Sequence, residues 1–348
     1  MKAPARRALT SGPGSGPDGV PAAIALSPIL SARYRPQDLE RIGAAAPGSR
    51  LVSVSLEGLA DTDLSDVEVL LRGPLPAAIF DRLIARCPRL MWVHSATAGV
   101  ERVLTPAARE RGLAITNARG VFSDPIAEYV LLMILAVSRR LPQLLELQRE
   151  RTWQPLESRE LRDLTVGVVG LGSIGRRVAE LALAFGSRVV AVRRGGTDSE
   201  DEFESIAGIA ETLPPERLAD LMALSDFIVL ALPLTPQTES LFDSALLRRA
   251  KPGSWLINVA RGRLVDERAL VRALRDGPLG GAVLDTFREE PLPPDSPLYD
   301  LPNAIVTPHT SWSSSGVLDR SIELFCQNLR RFALGEPLHN LVDADAGY

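Results

Sequence analysis

The pattern of apolar and polar positions changes character once along the chain, near residue 165. Up to about Ala118, short apolar runs alternate with polar, helix-like stretches. Residues 67–71 and 90–93 read as strands, with a helix over residues 76–85 between them. Residues 115–116 add a further short strand, so this part reads as a small α/β unit. A long helix is predicted over about 124–139. Asp124 is placed to cap it, Pro125 suits the first helical position, and Ile126, Val130, Met133 and Val137 recur on one face. Pro142, Trp153 and Pro155 then interrupt the pattern, which predicts a connecting arm.

From Thr165 the apolar runs are mostly continuous: residues 165–169, 189–192, 227–231, 255–259, 282–284 and 304–306. A strand covered by helices on both faces reads this way, because neither side meets water. Helical segments fall between the runs, at about 174–185, 215–224, 244–249 and 266–275. Strands joined by crossover helices predict a doubly wound parallel sheet, hence an α/β chain of two domains. The amphipathic segment at about 318–332 is expected to return to the first of them.

Composition narrows the function class. The 45% hydrophobic and 24% charged content is that of a soluble globular enzyme. A formal net charge of -4 opposes a general nucleic-acid binder, which needs a basic footprint. Cys87 and Cys326 are far apart and in apolar settings, so they read as reduced core thiols, which fits the cytoplasm. Residues 1–20 are rich in turn formers and read as a disordered tail. Arg6 and Arg7 lack the apolar segment that an export signal would place after them. Residues 129–137, the longest apolar stretch, fall far short of the roughly 20 that cross a membrane.

Gly170, Gly172 and Gly175 stand where the run at 165–169 ends and a helix begins, with Ser173 and Ile174 between the last two. Such glycines permit a tight turn, a close approach of backbone to a pyrophosphate, and close packing of helix on sheet. The helix amides then bind the phosphates. Eighteen residues past Gly175, where NAD-binding chains place an acid for the ribose 2′-hydroxyl, stand Arg193 and Arg194. Two guanidinium groups suit a 2′-phosphate, so NADP(H) is expected as the preferred cofactor, with NAD(H) as the alternative. An arginine facing solvent at a strand end is the competing reading, and Asp198 and Glu200 are close enough to pair with either one.

Arg261, Glu290 and His309 follow the late strands of the same domain, whose ends face the ligand crevice of a doubly wound sheet. Together with the Gly170–Gly175 segment, LPLTPQT at 232–238, NVARG at 258–262, Asp285 with Glu290 and Pro291, and TPH at 307–309, they make the chain resemble the D-isomer-specific 2-hydroxyacid dehydrogenases. The resemblance covers nearly all of the chain after the tail. It implies a Rossmann nucleotide domain, residues 119–310, inserted in a smaller flavodoxin-like substrate domain, residues 21–118 and 311–348. It also implies a homodimer and the reduction of a small 2-oxo acid, of the glyoxylate or hydroxypyruvate kind, to the D-2-hydroxy acid in the cleft. No metal, nucleic acid or membrane partner is expected.

The implied roles make chemical sense. Arg261 can hold the substrate carboxylate and polarise its carbonyl. His309 can protonate the oxygen that hydride transfer leaves anionic. Glu290, bonded to the other ring nitrogen, would fix the tautomer and favour the imidazolium. Asp285 is expected to accept a hydrogen bond from the nicotinamide carboxamide, while Leu232, Pro233, Thr238 and Ala260 are expected to line the cofactor. Ala98 and Gly99 lie in a small-residue loop whose amides would receive the substrate carboxylate, and residues 72–74 form a second candidate loop. Trp312 either walls the pocket or packs as structure. His94 and His339 read as structural. A phosphoglycerate or phosphite dehydrogenase, or a corepressor of the same fold that senses NAD(P), are the competing functions.

Overall fold

The computed structural model describes residues 14–29, 34–194 and 206–344. In chain order its strands are β1 Ala23–Leu26, β2 Arg50–Ser53, β3 Val67–Arg72, β4 Trp92–Ser95, β5 Ala114–Asn117, β6 Thr165–Val169, β7 Arg188–Val192, β8 Glu211–Leu213, β9 Phe227–Leu230, β10 Trp255–Asn258, β11 Gly281–Leu284 and β12 Ala304–Val306. Its helices are α1 Pro36–Ala45, α2 Ala77–Ala85, α3 Pro106–Glu110, α4 Ser123–Ser138, α5 Leu141–Arg149, α6 Ser173–Ala184, α7 Leu218–Leu224, α8 Ser244–Leu247, α9 Glu267–Asp276 and α10 Val317–Ala333. They divide into two compact units, one holding the residues up to Val121 and from Ser314 onward, the other Phe122–Ser313.

The first unit is a five-stranded parallel sheet in the order β2-β1-β3-β4-β5, the flavodoxin-like order. β3 buries all six of its residues and β4 all four, as expected for central strands covered on both faces. On one face lies the apolar stripe of α10: Ile322, Phe325, Cys326, Leu329 and Phe332 pack with Ile24, Val69 and Trp92. The Trp92 ring sits 5.4 Å from Phe325 and 5.5 Å from Phe332. Cys87 is buried on the other face, among Phe80, Leu83 and Ile84.

Residues 14–20 depart from the expected tail. Pro17–Gly19 forms a 3-10 turn and Val20 is buried. The cause is Glu68 of β3, whose carboxylate is 1% exposed and accepts from the amides of Ser15 and Ala22, each at 3.1 Å, and from the Ser15 hydroxyl. A buried carboxylate without donors is strongly disfavoured, so this segment is held to the sheet. Residues 1–13, the rest of the tail reading, lie outside the described residues.

His94 of β4 is fully buried, which pushes its pKa down from 6.5 to about 3. Trp92 Nε1 donates to Thr116 Oγ1 at 2.9 Å, and the threonine hydroxyl meets His94 Nδ1 at 2.7 Å. In the unfolded chain the imidazole takes its proton near pH 6.5. Stability contributed by keeping His94 neutral is therefore full above about 6.5 and is lost as pH falls from there towards about 3. Denaturant titrations should show the protein losing about 2 kcal/mol between pH 7 and pH 5 on this account, and the H94Q variant losing less. Equal losses in both proteins would remove His94 as the cause.

The second unit is a seven-stranded parallel sheet in the order β12-β11-β10-β9-β6-β7-β8, with a crossover at β6 and β9. β8 is a strand beyond the six expected; its Glu-Thr-Leu sequence is short, polar and at the sheet edge. Two helix expectations change. α4 begins at Ser123 with Phe122 at its cap position and no side-chain cap, so Asp124 is not the cap; its carboxylate instead accepts from Arg177 Nε of α6 at 2.7 Å. The buried face of α4 is Ile126, Ala127, Val130 and Ile134, with Met133 and Val137 half-buried. Pro142 does not interrupt a helix but opens one, because the first turn of α5 needs no donor there.

Candidate active site

The glycine turn after β6 has the cradle geometry that a dinucleotide pyrophosphate requires. Gly170 has φ +99°, and a Cβ there would lie 2.8 Å from the Ala231 oxygen. A Cβ on Gly175 would lie 1.9 Å from the Gly170 oxygen, so helix and turn approach as only glycine allows. Gly172 heads the 12-residue α6 without a side-chain cap, and a Cβ on it would meet nothing within 4 Å. Open space in front of uncapped first-turn amides fits an anion.

The Gly170 amide donates to Val192 O at 2.9 Å, tying the turn to the last residue of β7. Arg193 and Arg194 follow directly, the first half-buried with its amide bonded to Leu213 O at 3.0 Å, the second exposed. Both therefore stand beside the glycine turn, at the ribose end of the expected cofactor path. Asp198 and Glu200 lie outside the described residues. On the other side of the turn, Ala231 donates to Val169 O at 2.9 Å and leads into the 232–238 loop. Thr238 Oγ1 donates to Pro233 O at 2.7 Å and accepts from the Thr235 amide at 2.8 Å, so this side chain braces the loop that carries Leu232 and Pro233.

β10, β11 and β12 are adjacent and parallel, so Arg261, Glu290 and His309 emerge at the same edge of the sheet. The turn after β10 is braced by Asn258, whose side chain accepts from the Ala260 amide at 3.1 Å and donates to Arg261 O at 3.0 Å. Arg261 Nη1 donates to Ala260 O at 2.7 Å. Gly262 is required next, since a Cβ there would lie 1.9 Å from the Phe287 carbonyl carbon. Asn258 and Gly262 belong to the NVARG segment that the sequence singles out, but their part in shaping the turn around the arginine was not read from it.

His309 Nδ1 lies 2.8 Å from Glu290 Oε2, and Glu290 Oε1 accepts from the Phe287 amide at 3.0 Å. Burial pushes the Glu290 carboxyl up, but the His309 and Phe287 hydrogen bonds, with the His309 and Arg261 charges, outweigh it and hold it below the usual range. A carboxylate kept anionic against Nδ1 leaves Nε2 as the ring nitrogen that can exchange a proton with a ligand. The influence of Arg261 on Glu290 brings the third residue into the same electrostatic group.

Asp285 is fully buried and faces its own chain. Its Oδ1 accepts from Thr307 Oγ1 at 2.6 Å and from the Thr310 amide at 2.8 Å, and its Oδ2 from the Ser311 amide at 2.9 Å. Trp312 Nε1 donates to His309 O at 2.7 Å, with its ring 6.5 Å from Phe122.

The other candidates lie in the first unit. Ala98 and Gly99 sit in the loop after β4, where Ala98 O accepts from Asn117 Nδ2 and Gly99 O from Thr97 Oγ1, both at 2.9 Å. Arg72 is 2% exposed and donates to the carbonyls of Gly73, Leu75 and Arg102, with its guanidinium 5.0 Å from the Phe80 ring. It acts as an internal brace rather than a ligand arm, so the second candidate loop loses its cation. The His339 backbone is bonded at both ends to the Asn328 side chain, a structural role.

Comparison with known proteins agrees with this geometry. Residues 131–311 match the model of the D-isomer specific 2-hydroxyacid dehydrogenase NAD-binding domain. A glyoxylate reductase of Korarchaeum cryptofilum is 33% identical over 309 residues, 86% of this chain and 88% of that enzyme. A D-3-phosphoglycerate dehydrogenase of Mycobacterium tuberculosis is 38% identical over 76% of this chain, a match spanning 49% of the longer enzyme. Among solved structures, a D-isomer specific 2-hydroxyacid dehydrogenase from Xanthobacter autotrophicus in complex with NADPH and MES superposes with a TM-score of 0.82 at 31% identity, covering 94% of this chain and 100% of that one. An NADPH-dependent glyoxylate/hydroxypyruvate reductase from Sinorhizobium meliloti, in complex with NADP and sulfate, gives 0.79 at 28% identity over 94% and 100%. With its two parallel sheets, its glycine cradle and its histidine–glutamate pair at neighbouring strand ends, the chain belongs to the D-isomer specific 2-hydroxyacid dehydrogenase family, the NAD(P)-dependent oxidoreductases of 2-hydroxy acids.

Proposed function

We propose that this chain reduces a small 2-oxo acid of the glyoxylate or hydroxypyruvate kind to the D-2-hydroxy acid, with NADPH as the preferred reductant. The observation that carries the reading is the 2.8 Å contact between His309 Nδ1 and Glu290, at the strand ends that also present Arg261. Gly170, Gly172, Ser173, Ile174 and Gly175 would hold the pyrophosphate of the dinucleotide, whose dihydronicotinamide would supply the hydride for the carbonyl carbon. Arg261 pairs with the substrate carboxylate and polarises the carbonyl oxygen. His309 Nε2 gives its proton to that oxygen, completing the hydroxy acid, and Glu290 stabilises the imidazolium that donates it. Ala260, Leu232 and Pro233 contribute apolar walls.

Arg193 and Arg194 support the phosphorylated cofactor, and the two solved relatives named above carry NADPH or NADP. The internal engagement of Arg72 favours an acid without a phosphate group over phosphoglycerate. Two buried, unpaired thiols fit the reducing cytoplasm. The decisive experiment follows nicotinamide absorbance while the protein meets NADPH or NADH with glyoxylate, hydroxypyruvate and phenylpyruvate. Rapid NADPH oxidation with one acid and slower NADH oxidation is the expected result. Tight NADPH binding without turnover on any acid would overturn the reading.

A homodimer is part of the same proposal. Leu132 of α4 and Leu141, Leu144 and Leu145 of α5 are 40–55% exposed, and Trp153 is wholly exposed. Large apolar side chains exposed on two successive helices and the segment after them are suited to burial against a second copy. Light scattering should give twice the 37.5 kDa chain mass, and the L141E/L145E double variant should fall towards a single chain. A monomeric wild-type protein would refute the dimer.

A further inference from the structure

One helix reaches the backbone of His309 from both sides. The histidine has φ +49°, in the left-handed region that a non-glycine residue holds only where its surroundings impose it. Resting on the reading that His309 is the proton donor, we infer that Tyr129 of α4, acting through Thr307, and Trp312, seated on Phe122 at the start of α4, are positioning residues for its imidazole.

Phe122 stands at the cap position of α4 and Tyr129 seven residues on, about two turns, so both fall on one face of the helix. From that face the Tyr129 hydroxyl meets Thr307 Oγ1 at 2.7 Å. The Thr307 hydroxyl donates to Asp285 Oδ1 at 2.6 Å, so its oxygen is left to accept and the phenol is the donor. Burial raises the Tyr129 pKa to about 12, which keeps that proton in place across the physiological range. The Thr307 carbonyl in turn accepts from the His309 amide at 3.0 Å, so Tyr129 fixes the residue on which the histidine turns. On the other side, Trp312 Nε1 donates to the His309 carbonyl at 2.7 Å, while the indole meets the Phe122 ring edge-on with centroids 6.5 Å apart. The indole N–H is its one polar donor, and it is committed to this backbone. Amide and carbonyl of His309 are therefore both held, and both restraints lead back to α4. Asp285 keeps an acceptor site beyond its three loop donors, so a contact of its own with a ligand is compatible with this arrangement. What the restraints secure is the placement of His309 Nδ1 2.8 Å from Glu290 Oε2. A displacement of about 1 Å can cost about 100-fold in rate, which is why a backbone restraint matters to turnover.

The test uses Y129F, which keeps the ring on α4 and loses the donor, and W312F, which keeps a ring against Phe122 and loses the N–H. Steady-state kinetics should show kcat reduced about 10-fold in each, with the KM for NADPH within about twofold of wild type. Two-bond proton–nitrogen spectra of protein carrying nitrogen-labelled histidine, taken at alkaline pH, report which ring nitrogen holds the proton, independently of turnover. Wild-type His309 should hold it on Nδ1, facing Glu290. Each variant should shift population to Nε2, while the His94 signals stay in place and show the fold intact. An unaltered His309 tautomer in either variant would overturn the inference. So would weakened NADPH binding with kcat and tautomer preserved, which would assign the two side chains to the cofactor instead. Should wild-type protein reduce no 2-oxo acid while both variants shift the tautomer, the positioning role stands and the functional reading fails.

Discussion

H309N is expected to lower kcat for 2-oxo acid reduction by about 10²- to 10⁴-fold while leaving the NADPH dissociation constant within about twofold. The range is that of general-acid catalysis by a positioned side chain. Asparagine retains a polar group near Glu290 but has no proton to give at neutral pH. The effect should therefore fall on kcat and kcat/KM alike, the pattern of an interaction made only in the transition state. Nucleotide binding rests on the glycine cradle and β7, and should not follow. The Glu290 carboxyl, held below its usual range, stays anionic at neutral pH and cannot replace the missing donor. A variant with wild-type kcat would transfer the proton to another donor.

The legibility of this molecule in its sequence follows from burial. Strands covered on both faces, such as β6, β9 and β10, stand out as continuous apolar runs. β8 and β2 lie at sheet edges, where one side is open and the run breaks into polar residues, and neither was legible. β1 is fully buried and as long as β9 and β10, yet it was not singled out as a strand in the sequence. Pro142 misled because a proline that ends one pattern and one that opens the next are the same residue in different helical positions. Within the site, the side chains whose chemistry points outward were legible by type: a histidine, a glutamate and an arginine at successive strand ends. What holds them was not. Asp285 was read as a cofactor contact, and the three hydrogen bonds it accepts from the 307–311 loop had no counterpart in the sequence pattern. Tyr129 lies about 180 residues from its partner Thr307, a spacing to which no local pattern corresponds. Arg72, an apparent substrate arm by its place after β3, is turned inward by carbonyls that loop closure supplies.

Cofactor choice should respond most to the two arginines after β7. The R193D/R194A double variant is expected to raise the KM for NADPH by about 10- to 1,000-fold, with kcat at saturation little changed. Each charge-assisted hydrogen bond to the 2′-phosphate contributes about 1.5–3 kcal/mol, and every 1.4 kcal/mol is tenfold in affinity. Arg194 is exposed, so water and salt compete for it, and its single replacement should fall near the lower limit. Arg193 is half-buried with its amide anchored to Leu213, so solvent screens it less and it is expected to take the larger share. The aspartate in its place meets the 2′-phosphate with like charge and can accept from a 2′-hydroxyl instead. NADH efficiency should therefore hold or rise as NADPH efficiency falls, and NADPH binding to the wild-type protein should weaken with salt more steeply than NADH binding. Parallel losses for both nucleotides would mean that the replacements disturb the β7 edge itself. Unchanged NADPH binding would show that the 2′-phosphate is held elsewhere.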